Sequence, residues 1–372
     1  MTEENREHST INPYVQDLNA ASSNLILLGP RKSGKTQILT SFAQISRDKE
    51  AVAAYVALDR MSTSPESFTV EFLGNICAFF LKLAEIPKDM AALKACSSSL
   101  KNQAKDIIQK VDNELQKLKP DHKALLRWAF DFPQKLCDDT GKKAVVILDN
   151  FENILELNNF SQVRDVLSVV SLKHIDVRLI ASSSFSNEIE PLVRKHFETV
   201  RIVPLDRKAV DELCSRKKVK TARGTADQIL RFTAGHQFVT EHLVNSLKET
   251  GSVKRAFAAL IANRESPVYT HLAAVFHESI GRARGQALLK TALNVLSSSG
   301  PLSLTELSRK IYRSAPVTKS LLERLIYVDL IVKKDGKFTF SDPALGLWLR
   351  LASSAPLGKA TQHDIDVMEG QL

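Results

Sequence analysis

An α/β protein built on a parallel sheet, followed by a helical segment and a C-terminal helix-and-hairpin unit, is predicted by three observations. Short apolar runs at residues 24–28, 51–58, 143–148, 177–181 and 199–203 alternate with stretches of helical spacing, the pattern of a parallel sheet covered on both faces. The first run stops at Gly29-Pro30 and leads through a glycine- and lysine-containing turn into apolar residues at helical spacing over 36–45. After Pro204 the strand signals cease until residues 330–340, where two short strands flank Asp335-Gly336, a strong hairpin turn.

The 372 residues are enough for two or three units with their own cores. Hydrophobic residues at 44% and charged residues at 25% exclude a disordered or fibrous chain. The net charge of +9 suits either a polyanionic partner or simple solubility, and charge by itself does not choose between them. Cys77, Cys96, Cys137 and Cys214 lie far apart without metal-ligand spacing, so neither a zinc site nor a disulfide framework is expected. The first residues are polar and no run approaches the ~18 apolar residues of a membrane span. A cytoplasmic protein with reduced thiols and no membrane partner is the expectation.

In chain order, residues 1–21 read as a polar leader and 22–205 as the sheet domain. Within the latter, a helix over 64–83 starts with Pro65 in its first turn. Residues 88–119 form one or two solvent-facing helices, and a further amphipathic helix covers 160–171. Residues 206–265 form a helical lid interrupted at Gly224 and Gly235. The region 283–352 holds helices at 286–298, 303–313 and 317–327, the second opened by the capping-box spacing Ser303 to Glu306, and then the hairpin. Three helices and a β-hairpin predict a winged helix-turn-helix. Residues 353–372 read as a loose tail.

The strongest chemical signal is Gly29-Pro30-Arg31-Lys32-Ser33-Gly34-Lys35-Thr36, which satisfies G-x-x-x-x-G-K-[ST] between an apolar strand and a helix. Both glycines are expected to allow the backbone angles that turn amide N–H groups toward phosphate, at a helix start that favours negative charge. Lys35 is expected to reach the β and γ oxygens and Thr36 to hold Mg²⁺, with Gln37 adjoining the same site. The chemistry predicts a P-loop NTPase sheet with ATP and Mg²⁺ as cofactors.

A second element is the apolar strand ending in Asp149, a carboxylate delivered to the ligand end of the sheet as a metal ligand. Asn150 follows it, and an amide can orient water but cannot accept its proton. Glu152 stands close enough in sequence to act as the base instead. Lys35, Asp149, Asn150 and Glu152 are therefore the catalytic candidates. Of the serines at 182–184, Ser183 is the candidate sensor of the γ-phosphate. Arg194 and Arg201 read as surface residues, and His236 beside Gly235 falls where a lid turns back. In the last region Arg309, Lys319, Arg324, Lys333, Lys334 and Lys337 form a DNA-binding candidate set, although Glu323 sits among them.

These elements, in this order, resemble the AAA+/STAND-type ATPases, and most of all the archaeal and bacterial predicted-ATPase families that join a P-loop domain to a C-terminal winged helix. The likeness spans residues 22 to 350. It rests on the run 28–36, on Leu148-Asp-Asn-Phe-Glu152, on Gly235-His236 and on the Asp342-Pro343 to Trp348 segment. The family usually has an acidic residue where this chain has Asn150, and Pro where it has Gln237. The resemblance implies a nucleotide-dependent switch acting on double-stranded DNA, a protein partner or copies of itself; origin-recognition initiators share the domain order distantly. An ATP-stabilised adaptor with little hydrolysis is the alternative, and a phosphotransferase ranks below both.

Overall fold

The computed structural model describes residues 14–19, 22–47, 52–219, 221–283, 285–351 and 358–372; residues 1–13 of the leader lie outside them. The chain forms two compact units. The first comprises the residues up to Gly29 with Gly34–Ser184 and Ile189–Ile202, and the second comprises Pro30–Ser33, Phe185–Glu188 and Val203–Leu372.

The first unit begins with α1 (residues 14–19), β1 (Leu25–Leu28), α2 (Lys35–Arg47), β2 (Val52–Ala57) and α3 (Pro65–Leu81). It continues through α4 (Met90–Ser97), α5 (Asn102–Leu115), α6 (His122–Thr140) and β3 (Ala144–Asp149). A 3₁₀ run (Phe151–Asn159), α7 (Val166–Val169), β4 (Val177–Ser183), α8 (Ser186–Val193) and β5 (Glu198–Arg201) follow, the start of α8 lying in the segment grouped with the second unit. The five strands are parallel in the order β2-β3-β4-β1-β5.

Alternate side chains of each strand enter different cores, which is why the strands read as continuous apolar runs. Ile26, Leu28, Val146 and Leu148 pack with Phe68, Phe72 and Phe130, whose rings stack. Leu25, Leu27, Ile147 and Ile180 pack with Ile38, Leu39 and Phe42 of α2. Val15 and Leu18 of α1 join this second core, and Arg178 donates from Nη1 to the Leu18 carbonyl at 2.7 Å. Part of the expected leader is thus built into the sheet domain. Val15 and Leu18 are its apolar anchors, one turn apart on a short helix.

Local signals account for several boundaries. The Ser64 side chain accepts from Ser67 N and Pro65 occupies the first turn of α3. The helix expected over 160–171 is reduced to α7. Arg164 adopts φ 57°, and the amides of both Val163 and Arg164 donate to the Phe160 carbonyl, so the chain turns rather than continuing a helix. Asn158 Oδ1 then accepts from Val166 N and starts the short helix late.

The second unit contains α9 (Arg207–Arg216), α10 (Thr225–Thr233), α11 (Gln237–Thr250), α12 (Val253–Ala262) and α13 (Pro267–Arg282). The helices α14 (Gln286–Ser299), α15 (Leu304–Lys310) and α16 (Ala315–Tyr327) precede β6 (Ile331–Lys334) and β7 (Lys337–Phe340), and α17 (Pro343–Leu351) and α18 (Gln362–Gln371) close the chain. One continuous apolar core runs from Val210 to Met368, shared by the lid region and the helix-and-hairpin region. Residues 362–371, expected within a loose tail, form a helix on α12. Met368 is buried, and Arg255 pairs with Asp366 at 2.8 Å and Glu369 at 3.0 Å.

The hairpin turns at Asp335 (φ 50°) and Gly336 (φ 78°), with Lys334 opposite Lys337. Both capping-box bonds form at Ser303 and Glu306. Replacing this cap, Ser303→Ala, is expected to cost about 1 kcal/mol and to lower the melting temperature by about 2–4 °C, read by circular dichroism.

Candidate nucleotide-binding site

The strand register decides which side chains meet. Leu28 pairs with Ser183 on one side and Arg201 on the other, and Ala57 pairs with Asp149, so the carboxyl ends of the strands finish at one edge of the sheet. In an open parallel sheet this edge is where ligands bind. The loop after β1 leads into α2 there, with Gly29 N donating to the Ser183 carbonyl at 3.3 Å.

The loop's left-handed positions are Lys32 (φ 60°) and Gly34 (φ 89°), rather than both motif glycines. Gly34 is where the absence of a side chain matters most for the backbone, because an L residue is strained at that angle. Lys35 is buried, and its Nζ donates to the Gly29 carbonyl at 2.8 Å and to Ser184 Oγ at 3.1 Å. A buried ammonium needs such partners, and an anionic phosphate is a far stronger one. Thr36 Oγ1 donates to Asp149 Oδ2 at 2.8 Å, bringing together the two residues expected to hold a metal.

Asp149 is 1% exposed and its carboxylate is surrounded by donors. Oδ1 accepts from Ser182 Oγ and from Asn150 N at 3.1 Å. Oδ2 accepts from Tyr55 OH at 2.6 Å in addition to Thr36. Burial, and then the hydrogen bond to Asp149, raise the Tyr55 phenol well above its ordinary range, so it remains a donor. Sequence reading passed over Tyr55 because an aromatic residue on a buried strand reads as core; only its pairing beside Asp149 gives the hydroxyl a role.

Asn150 has a structural task. Its φ of 56° lies in the left-handed region, which Asn tolerates better than most side chains, and its carbonyl accepts from both the amide and the side chain of Asn153. The turn brings Glu152 inward. That residue is 2% exposed, its Oε1 accepts from Ser184 N at 3.2 Å, and its Oε2 is buried without a hydrogen-bond partner among the described residues. An unpaired buried carboxylate oxygen beside Lys35's partner Ser184 is costly to maintain, and a polar ligand or water would satisfy it.

Of the serines at 182–184, the Ser182 hydroxyl meets Asp149 and the Ser184 hydroxyl meets Lys35, and the Ser183 carbonyl accepts from Gly29 N. Gln37 follows Thr36 on α2 and is exposed. Arg201 pairs with Glu190, and Arg194 is exposed.

The tip residues Pro30–Ser33 are grouped with the second unit. There Arg31 pairs with Glu278, its carbonyl meets His236 Nε2 at 2.9 Å, and Lys32 Nζ lies 3.9 Å from the centre of the Phe238 ring. Ser33 Oγ is buried without a hydrogen-bond partner among the described residues. Gly235 (φ 76°) is required by close packing: a Cβ there would lie 2.2 Å from the Leu205 carbonyl oxygen. Burial, and then His236, push the neighbouring His271 down to about 3, leaving it neutral.

Arg309, Lys319, Arg324, Lys333, Lys334 and Lys337 are all exposed on α15, α16 and the hairpin. Lys319 lies 3.8 Å from Glu323 one turn on, which partly neutralises that face of α16. Among the described residues, no helix is long and apolar enough to cross a membrane.

No family model matches the sequence, and a search of curated proteins finds no match. Among solved structures, the chain is similar to a Walker-type ATPase of Pyrococcus abyssi, with 13% identity and a TM-score of 0.60 over 92% of this chain and 95% of that one. It also aligns with the RuvB Holliday junction branch migration motor of Thermotoga maritima, at 13% identity and a TM-score of 0.36 over 91% and 92% of the two chains. A third alignment, with the ORC1 protein of Aeropyrum pernix in complex with DNA, has 12% identity and a TM-score of 0.39 over 98% and 92%. The last two TM-scores are too low to bear on this protein. At 13% identity the first likeness establishes a shared fold and nothing about activity.

Proposed function

We propose that this protein binds ATP with Mg²⁺ through its sheet domain, hydrolyses it slowly, and uses the nucleotide state to control the grip of its C-terminal helices and hairpin on double-stranded DNA. The observation that supports this most is the meeting of Lys35, Thr36, Asp149, Glu152 and Ser184 at one end of a parallel sheet. Lys35 neutralises the terminal phosphates, the amides at the start of α2 cradle them, and Ser184 shares its hydroxyl between Lys35 and the γ-phosphate. Thr36 and Asp149 are the oxygen ligands that suit Mg²⁺, a hard cation that keeps several waters. When bound, Mg²⁺ supplies charge neutralisation at the transferring phosphoryl group. Glu152 accepts the proton of the attacking water at its unpartnered oxygen, while Asn150 shapes the turn that aims it.

The DNA arm of the proposal rests on the exposed cations of a winged helix-turn-helix, with α16 suited to the major groove and the hairpin lysines to phosphate. Titrating the full chain with duplex DNA at several salt concentrations, in the nucleotide-free, ADP and ATP states, tests the coupling. The expected result is a nucleotide-dependent affinity that falls steeply with salt, with a shallower slope when Lys333, Lys334 and Lys337 are changed to Glu. Equal affinity in all three states would refute the switch.

An adaptor that binds ATP without turnover is the second reading. Tyr312, 87% exposed, and Val317, 42% exposed, favour it as apolar contacts for a protein partner or a second copy. ATP that raises the melting temperature but is recovered intact after prolonged incubation would select this reading.

A further inference from the structure

We infer that Tyr55 is a positioning residue for the divalent cation, acting through the carboxylate of Asp149. The inference rests on the proposed ATP and Mg²⁺ site and adds to it a residue that no part of the P-loop pattern specifies.

Tyr55 stands opposite Ile147 in the β2–β3 ladder, two residues before the Ala57–Asp149 pair, so Tyr55 and Asp149 are diagonal neighbours on one face of the sheet. Diagonal partners are about 7–8 Å apart at the backbone, a gap that a tyrosine spans and a shorter hydroxyl does not. The phenol closes this gap at 2.6 Å from Asp149 Oδ2.

The two carboxylate oxygens are held differently. Oδ1 is fixed by Ser182 Oγ and Asn150 N, neither of which is a proposed metal ligand. Oδ2 is fixed by Thr36 Oγ1 and Tyr55 OH. Thr36 is itself an expected cation ligand, so when its hydroxyl serves the cation, Tyr55 is the donor that still orients Oδ2. Its donor is also delivered by a neighbouring strand, which is stiffer than a loop. A carboxylate pinned at both oxygens before the cation arrives loses less rotational freedom on binding it.

The test compares wild type with Tyr55→Phe, which keeps the ring and removes the hydroxyl. ATP affinity is measured by calorimetry in EDTA and across a Mg²⁺ titration, and Mn²⁺ bound with ATP is counted by electron paramagnetic resonance. The expected result is unchanged ATP affinity in EDTA, a protein still folded by circular dichroism, and a half-saturating Mg²⁺ or Mn²⁺ concentration raised about tenfold, as for loss of one hydrogen bond to a charged group. Identical metal titrations for the two proteins would overturn the inference. Equal loss of ATP affinity with and without metal would overturn it too, by making Tyr55 a packing residue. Failure of wild-type protein to bind ATP under any condition would instead defeat the underlying ATP-site reading, so the two failures are distinguishable.

Discussion

Lys35→Ala is expected to weaken Mg²⁺-ATP binding by at least about 100-fold, equivalent to about 2.7 kcal/mol, and to abolish any turnover. The lysine is 5% exposed and already desolvated by its surroundings, so its charge acts on phosphate at low dielectric rather than through water. The same substitution also leaves the Gly29 carbonyl and Ser184 Oγ without the donor that now serves them. Lys35→Arg is not an innocent replacement, because a planar fork does not fit where a compact ammonium reaches two oxygens. Calorimetric titration with ATP, alongside circular dichroism to confirm folding, reads the effect directly. Unaltered ATP affinity in a folded Lys35→Ala protein would remove the nucleotide site from the P-loop altogether.

Glu152→Gln is expected to lower the rate of ATP hydrolysis by about 10²–10³-fold while ATP affinity changes little, because the amide keeps the size and the Ser184 contact but cannot take a proton. Asn150→Ala is the informative partner. If Asn150 mainly supports its left-handed turn, removing the amide costs stability of about 1 kcal/mol and affects turnover less than Glu152→Gln does. Single-turnover hydrolysis, with binding measured separately, distinguishes the two residues. The reverse order of effects would return the role of orienting water to the Asn150 side chain.

The sequence reading and the structure diverge where side-chain direction matters. The run 29–36 marked its own turn because only a strand, a glycine-permitted loop and a helix start fit those residues, and Asp149 marked its own place by ending an apolar strand. The serines at 182–184 marked the strand end, yet only the structure shows that the Ser182 hydroxyl meets Asp149 and the Ser184 hydroxyl meets Lys35. Glu152 was legible as a candidate base, while its inward aim required the left-handed turn at Asn150.

By itself, then, the sequence determined the local structure: the apolar runs of a parallel sheet, the loop at 29–36, the cap at Ser303 and the turn at Asp335-Gly336. These depend on neighbours a few residues apart, whose spacing and backbone preferences are written in order along the chain. Tertiary structure alone decided that Tyr55 reaches Asp149, that α1 joins the core and that residues 362–371 form a helix on α12. Each of those outcomes turns on strand register or on packing between residues distant in sequence, and neither is encoded in any local window.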